Sequence, residues 1–166
     1  MHIAVLVKQV PDTYGQRTLG PGDWLIDRSG EVVLDEIDSR GLEVGLQLVE
    51  KHGGDVTAIT MGPDSAVDVL RKALAMGAAR AVHVVDDALA GSDAAQTSAV
   101  LASVLAPLAP DLVITGNEST DGRTGSLAGM LAERLNRPAL TSLVSIDVDG
   151  ETVRCERVVD DGSSFL

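Results

Sequence analysis

Apolar positions along the chain come in short runs separated by longer amphipathic stretches. "IAVLV" (3–7) is a continuous branched run, as expected for a strand buried on both faces. "VTAITM" (56–61), "AVHVV" (81–85) and "LVIT" (112–115) repeat the pattern. Between them the apolar residues take helical spacing. The first helix is expected to be capped by Asp38 or Ser39, to carry Leu42, Leu46 and Val49, and to stop at Gly53-Gly54. A second is entered through Pro63, with Asp64 or Ser65 as cap and Gly77 as stop. A third opens at Ser92 or Asp93, runs through about Leu105 and stops near Pro107 and Pro110; a fourth spans 125–135. "WLIDRSGEVVL" reads as a small hairpin turned at Ser29-Gly30, and "ALTSLVSIDV" with "TVRCERVV" as a final hairpin turned at Asp149-Gly150. The short charge run "DEIDSR" reads as a solvated loop, and the pairs Asp86-Asp87 and Asp160-Asp161 as turns.

Strand–helix alternation in this order predicts an α/β fold: a doubly wound, mostly parallel sheet with helices on both faces and a C-terminal β-hairpin. Composition agrees. The chain has 166 residues, 45% of them apolar, and its only aromatics are one Trp, one Tyr and one Phe. The core must therefore be Val, Leu, Ile and Ala, which suits a sandwiched parallel sheet. A net charge of −12 and a pI near 4.4 oppose contact with nucleic acid or anionic membranes. No apolar run approaches the roughly 18 residues of a spanning helix, so no membrane insertion is expected. A lone cysteine, Cys155, excludes an intrachain disulfide. Together with an N-terminus that lacks a signal-peptide pattern, this predicts a cytoplasmic protein.

In open α/β sheets ligands sit beyond the carboxyl ends of the strands. The loop "GNESTDGRTGS" leaves the fourth strand and leads into a helix whose N-terminal N–H groups and dipole favour an anion. Gly125 and Ser126 are the expected backbone donors, Thr124 and Ser126 add hydroxyls, and Arg123 adds one charge. Asp121 would repel a phosphate and is expected to cap the turn or accept a sugar hydroxyl. The pattern leaves two readings open, a nucleotide site or a structural strand-to-helix turn. Neither G-x-G-x-x-G nor G-x-x-x-x-G-K-[ST] occurs. His83 reads as a strand-face residue, His52 as a cation beside a helix stop, and Cys155 as structural. No catalytic constellation emerges, which favours holding a cofactor over catalysis.

"HIAVLVKQVPDT", "VVLDEIDSRGLEVGLQLVE", "VTAITMGPDSAVDVLRKALAMGAARAVHVVDD" and "LVITGNESTDGRTG" resemble the beta subunit of electron transfer flavoprotein, in order and over nearly the whole chain. The resemblance implies a fold of the adenine-nucleotide hydrolase and universal-stress type. It implies an AMP in this subunit, an FAD held mainly by an alpha subunit, and electron shuttling from acyl-CoA or related dehydrogenases toward a quinone oxidoreductase. Carried over by position, the AMP contacts fall at Leu6, at Asp35, Glu36, Ile37 and Asp38, and at Met61. The rest fall at Gly116, Asn117, Glu118, Ser119, Thr120, Asp121, Gly122, Arg123, Thr124, Gly125, Ser126 and Leu127. Many members of that family carry Asn-Pro where this chain has Asp35-Glu36. Members that bind a second FAD tend to read D-G-D-T-A-Q-V-G where this chain has Asp121 to Ala128; Ser126 in place of Gln favours AMP. A Tyr near the flavin in some members aligns with Thr13, beside Tyr14. The chain is also shorter than that family and is expected to be a single AMP-binding domain, 1–166, without the C-terminal partner-docking region. Alone it is expected to hold no FAD and to self-associate through the edge at Phe165-Leu166. A stand-alone adenine-nucleotide sensor of universal-stress type and a hydrolase of the same superfamily are the competing readings.

Overall fold

A computed structural model of the chain describes residues 1–22, 24–159 and 162–165, with the side chains of Val158 and of 162–165 left aside. Leu166 and the pair Asp160-Asp161, which carried two of the sequence expectations, lie outside the described residues.

The first apolar run forms β1 (His2–Leu6), at whose centre Ile3, Ala4 and Val5 are wholly buried. Such burial requires cover on both faces, and the chain supplies it through strand alternation. Ile3, Val5 and Val7 meet Leu42 and Leu48 of α1 (Glu36–His52) and Val69, Leu70 and Ala73 of α2 (Val67–Met76). Ala4 and Leu6 face the other way, toward Leu101 and Leu105 of α3 (Ala94–Leu108) and Leu131 of α4 (Leu127–Leu135). A fully buried Leu in such a layer contributes roughly 2 kcal/mol. The sheet is completed by β4 (Asp55–Met61), β5 (Arg80–Val84) and β6 (Leu112–Ile114), all parallel, in the order β5-β4-β1-β6. The order reverses direction between β1 and β6. That switch point opens a crevice beyond their carboxyl ends.

The region between Lys8 and Leu34 differs from the expected hairpin. Gln9–Pro11 forms β2 and Val32–Leu34 forms β3, and these pair antiparallel with each other. Pairing nearer the expected turn is a single bridge, Leu19 with Ile26. The observed pairing goes with full cover of Val10 and Leu34, a burial that favours it over the local turn.

Helix starts also shift. α1 is capped by Asp35, whose carboxylate accepts from Ile37 N, three residues before the expected cap; Asp38 points inward instead. The run "DEIDSR" is therefore the first turn of a helix with two buried acids. A 3₁₀ turn, Asp64–Ala66, precedes α2. Asp93 and Gln96 form a capping box at α3. α4 begins at Leu127, so Gly125 and Ser126 precede it.

The C-terminal hairpin is present as β7 (Leu143–Asp149) and β8 (Thr152–Val159), turned at Gly150 and Glu151, and β9 (Gly162–Phe165) adds an unexpected third antiparallel strand. Ile146 and Val148 rest against the first core cluster, and Lys51 and His52 meet Asp147. Cys155 is buried in β8. His83 bonds the Gly62 carbonyl from β5. Among the described residues no helix is long and apolar enough to cross a membrane, and no group of acids, histidines and cysteine could hold a metal.

Candidate functional site

The chain leaves β6 at Ile114 and crosses the switch-point crevice before entering α4. A loop of this composition has no core of its own, so its shape depends on polar anchors. Three are present. At the first, Gly116 N donates to Asp38 Oδ1 at 3.2 Å. A Cβ on residue 116 would run into that carboxylate and into Ile37, so the approach requires Gly. At the second, Thr120 donates its N–H (2.7 Å) and its hydroxyl (3.0 Å) to Asp35 Oδ2, while Asp35 Oδ1 caps α1 through Ile37 N at 3.0 Å. One fully buried carboxylate thus starts a helix and pins the loop. At the third, Asp121 sits between Lys8 Nζ, at 2.7 Å, and the Arg28 guanidinium, and also accepts from Gly122 N at 2.6 Å. Lys8 reaches Ser119 Oγ at 3.3 Å, and Arg17 Nη1 donates to the Thr120 carbonyl at 2.7 Å.

These anchors differ electrostatically. Burial pushes the Asp121 carboxyl toward its neutral form, but the bonds and charges of Lys8, Arg28 and Ser119 outweigh it and hold the group well below the usual carboxylate range. Asp121 is an ionised lock. Asp38 goes the other way. Burial, then the charge of Asp35, pushes it up to about 7, against opposing backbone bonds from Lys8 and Gly116.

The sequence-derived residues converge in two groups. Asp38 and Ile37 meet Gly116 and Asp35 meets Thr120, whereas Ser119 and Asp121 are held by Lys8 and Arg28. Leu6, Met61 and Leu127 belong to one apolar cluster at the ends of β1, β4 and the start of α4. Glu36 is exposed on the first turn of α1, and Asn117, Thr124 and Gly125 lie on the outer face of the loop. Arg123 is turned toward Glu118, 3.7 Å away, so its charge is partly engaged. Asp121 neither caps the turn alone nor faces outward: its side chain is wholly covered and binds two cations. Lys8, Arg17 and Arg28 were not foreseen. Lys8 lies two residues past the carboxyl end of β1, a position that signals a ligand-side residue; the two arginines lie in a stretch without periodicity and leave no such signal.

The start of α4 is the chemically open end of the loop. Ser126 makes no side-chain cap bond, so the first N–H groups of a nine-residue helix have no capping side chain. Gly125, with φ of 61°, leaves room beside it: a Cβ there would come no closer than 4.0 Å, to Asn117 O. Uncapped N–H groups at the positive end of a helix dipole, beside hydroxyls of Thr124 and Ser126, can accept an anion.

A protein-family profile described as "Electron transfer flavoprotein domain" matches residues 23–165. The electron transfer flavoprotein subunit beta of Mycobacterium leprae is 46% identical over 168 residues, covering 97% of this chain and 63% of that protein. The corresponding subunit of Mycobacterium tuberculosis (strain H37Rv) is 45% identical with the same coverage. Protein FixA of Azorhizobium caulinodans is 37% identical over 174 residues, covering all of this chain and 62% of that protein. The chain thus spans a little under two thirds of the length of these relatives. Matched along almost its whole length by sequence, and carrying the doubly wound sheet with its strand-end loop, the chain belongs to the electron transfer flavoprotein beta-subunit family.

Proposed function

We propose that the chain is the nucleotide-holding domain of an electron transfer flavoprotein beta-type subunit. It retains AMP in the switch-point crevice and pairs with an FAD-carrying alpha subunit in the cytoplasm. The assembly passes electrons from a dehydrogenase, such as an acyl-CoA dehydrogenase, toward a quinone oxidoreductase. The observation that carries this reading is the uncapped start of α4 at the end of a loop stapled by buried acids. Identity to beta subunits over 97% of the chain sets this reading above a stand-alone nucleotide sensor.

The residues present fit a nucleoside monophosphate. Backbone N–H groups from Ser126 into the first turn of α4 would take the phosphate, helped by the hydroxyls of Thr124 and Ser126. An acidic protein with a surplus of carboxylates is better served by such neutral donors than by a lysine cluster. The apolar cluster of Leu6, Met61 and Leu127 would lie along the base. Asp35, Asp38 and Asp121 are consumed by intramolecular bonds and would shape the loop without touching the ligand. FAD on the alpha subunit supplies the redox chemistry; this chain acts as a carrier subunit and not as a catalyst on its own.

Gly125→Asp tests the placement. Asp tolerates the left-handed conformation at modest cost, so the fold is expected to survive while a carboxylate enters the phosphate position. Bound AMP, extracted and quantified by chromatography, is expected to fall at least about tenfold, the effect of losing roughly 1.4 kcal/mol. Gly125→Asn, of the same shape without charge, is expected to retain most of it. Equal AMP content in wild type and Gly125→Asp would contradict the placement.

A further inference from the structure

The stretch 12–31 leaves β2 and returns in β3 with almost no structure of its own. Residues 13–19 are all exposed, and among the described residues its internal pairing is the isolated Leu19–Ile26 bridge with the flanking bonds Gly20 N to Leu25 O (2.8 Å) and Asp27 N to Thr18 O (2.9 Å). Such a segment would ordinarily be the most mobile in the chain. Two of its side chains, eleven positions apart, nevertheless reach adjacent residues of the 116–126 loop. Arg17 Nη1 donates to Thr120 O at 2.7 Å. Arg28 binds Asp121 with one arm of its fork and the Gln9 carbonyl, at 3.0 Å, with the other. The second contact ties the loop to β2, and β2 is itself fixed to the start of α1 through the Lys8 carbonyl and Asp35 N at 2.9 Å. Asp121 is fully covered beneath Lys8 and Arg28, whose side chains are only 39% and 34% exposed.

From this geometry we infer that the excursion 12–31 is a strap over the nucleotide loop, and that Arg17 and Arg28 are positioning residues for nucleotide retention. The inference rests on the AMP reading for its ligand. Neither arginine touches the nucleotide. They act through Thr120 and Asp121, fixing the loop so that the N–H groups following Gly125 keep one arrangement. Charge-assisted and forked bonds are the strong class of hydrogen bond, and Arg supplies both. Because the loop lacks an apolar core, these bonds decide how often it opens. An opening loop releases its ligand, so the effect falls on the off-rate.

The test is the Arg17→Gln/Arg28→Gln double variant of the full chain, with Arg28→Lys as the conservative control. Dissociation of labelled AMP into excess unlabelled AMP is expected to speed up about tenfold in the double variant, as for the loss of one strong bond. The thermal midpoint of the nucleotide-free chain should fall by only a few degrees, because Lys8 still pairs with Asp121 and the strap buries little apolar surface. Arg28→Lys keeps a cation for Asp121 but loses the second arm to the Gln9 carbonyl, and is expected to fall between wild type and the double variant. Hydrogen exchange at the Thr120 and Gly122 amides is read in parallel without nucleotide, and is expected to quicken in the double variant. Wild-type off-rate and wild-type exchange in the double variant would overturn the strap. A wild type that binds no AMP defeats the nucleotide reading instead, and in that case the exchange rates alone decide the strap.

Discussion

Asp35→Ala is expected to lower stability by about 3 kcal/mol, one of the largest effects of any single side chain at the site. Three bonds converge on this fully buried carboxylate. Losing a helix cap costs about 1 kcal/mol. Leaving the buried N–H and hydroxyl of Thr120 without a partner costs about 1 to 3 kcal/mol more. Relief of repulsion toward Asp38 offsets a part. For a chain of this length the midpoint of thermal unfolding should fall by roughly 6 to 12 °C. Asp35→Asn keeps one oxygen for Ile37 N but turns an NH2 donor toward the N–H of Thr120, so it is expected to lose about 1 to 3 kcal/mol, up to as much as Asp35→Ala. Urea denaturation of both variants checks this. A loss below about 1 kcal/mol in Asp35→Ala would mean that the loop is not held from this point.

Asp38→Asn is expected to make the protein more stable at pH 8 and to flatten its pH dependence. The Asp38 carboxyl titrates at about 7 when folded, against an ordinary value of 3.8. Between those values the folded chain binds a proton that the unfolded chain lacks. Stability contributed by this group is therefore complete below about pH 4, declines as pH rises toward 7, and is gone above it. A shift of this size corresponds to at most about 4 kcal/mol; coupling to Asp35 makes about 2 kcal/mol the expected gain at pH 8. The Asn oxygen can still accept from Gly116 N. Asp121 works in the opposite direction and in a different window. Its carboxyl is held low, so its contribution is present above its ordinary value and is lost only as the solution becomes strongly acidic. Urea midpoints at pH 5 and pH 8 separate the two. Parallel profiles for wild type and Asp38→Asn would show that Asp38 is ionised throughout.

The alternation of β1, β4, β5 and β6 with the helices was legible because strands buried on both faces are continuous apolar runs that a helix pattern cannot imitate. The loop 116–126 was legible as a candidate site from its glycines and its place between strand and helix. The ribbon of β2 and β3 was not, because strands of three residues carry no periodicity and their pairing spans more than twenty positions. Nor were the roles of Asp35 and Asp38. An acid run resembles a solvated surface until the fold shows which members turn inward, and only burial separates Asp38 from the exposed Glu36. Lys8, Arg17 and Arg28 escaped for a related reason: each acts across a sequence distance of about a hundred residues, which no local pattern records.

Native mass spectrometry of the chain co-expressed with an electron transfer flavoprotein alpha subunit shows whether this chain brings a nucleotide into a heterodimer. The expected result is one complex containing one copy of each chain, one FAD and one AMP, with AMP the nucleotide that follows this chain when gentle activation separates the subunits. A nucleotide-free chain that remains apart from the alpha subunit would contradict it.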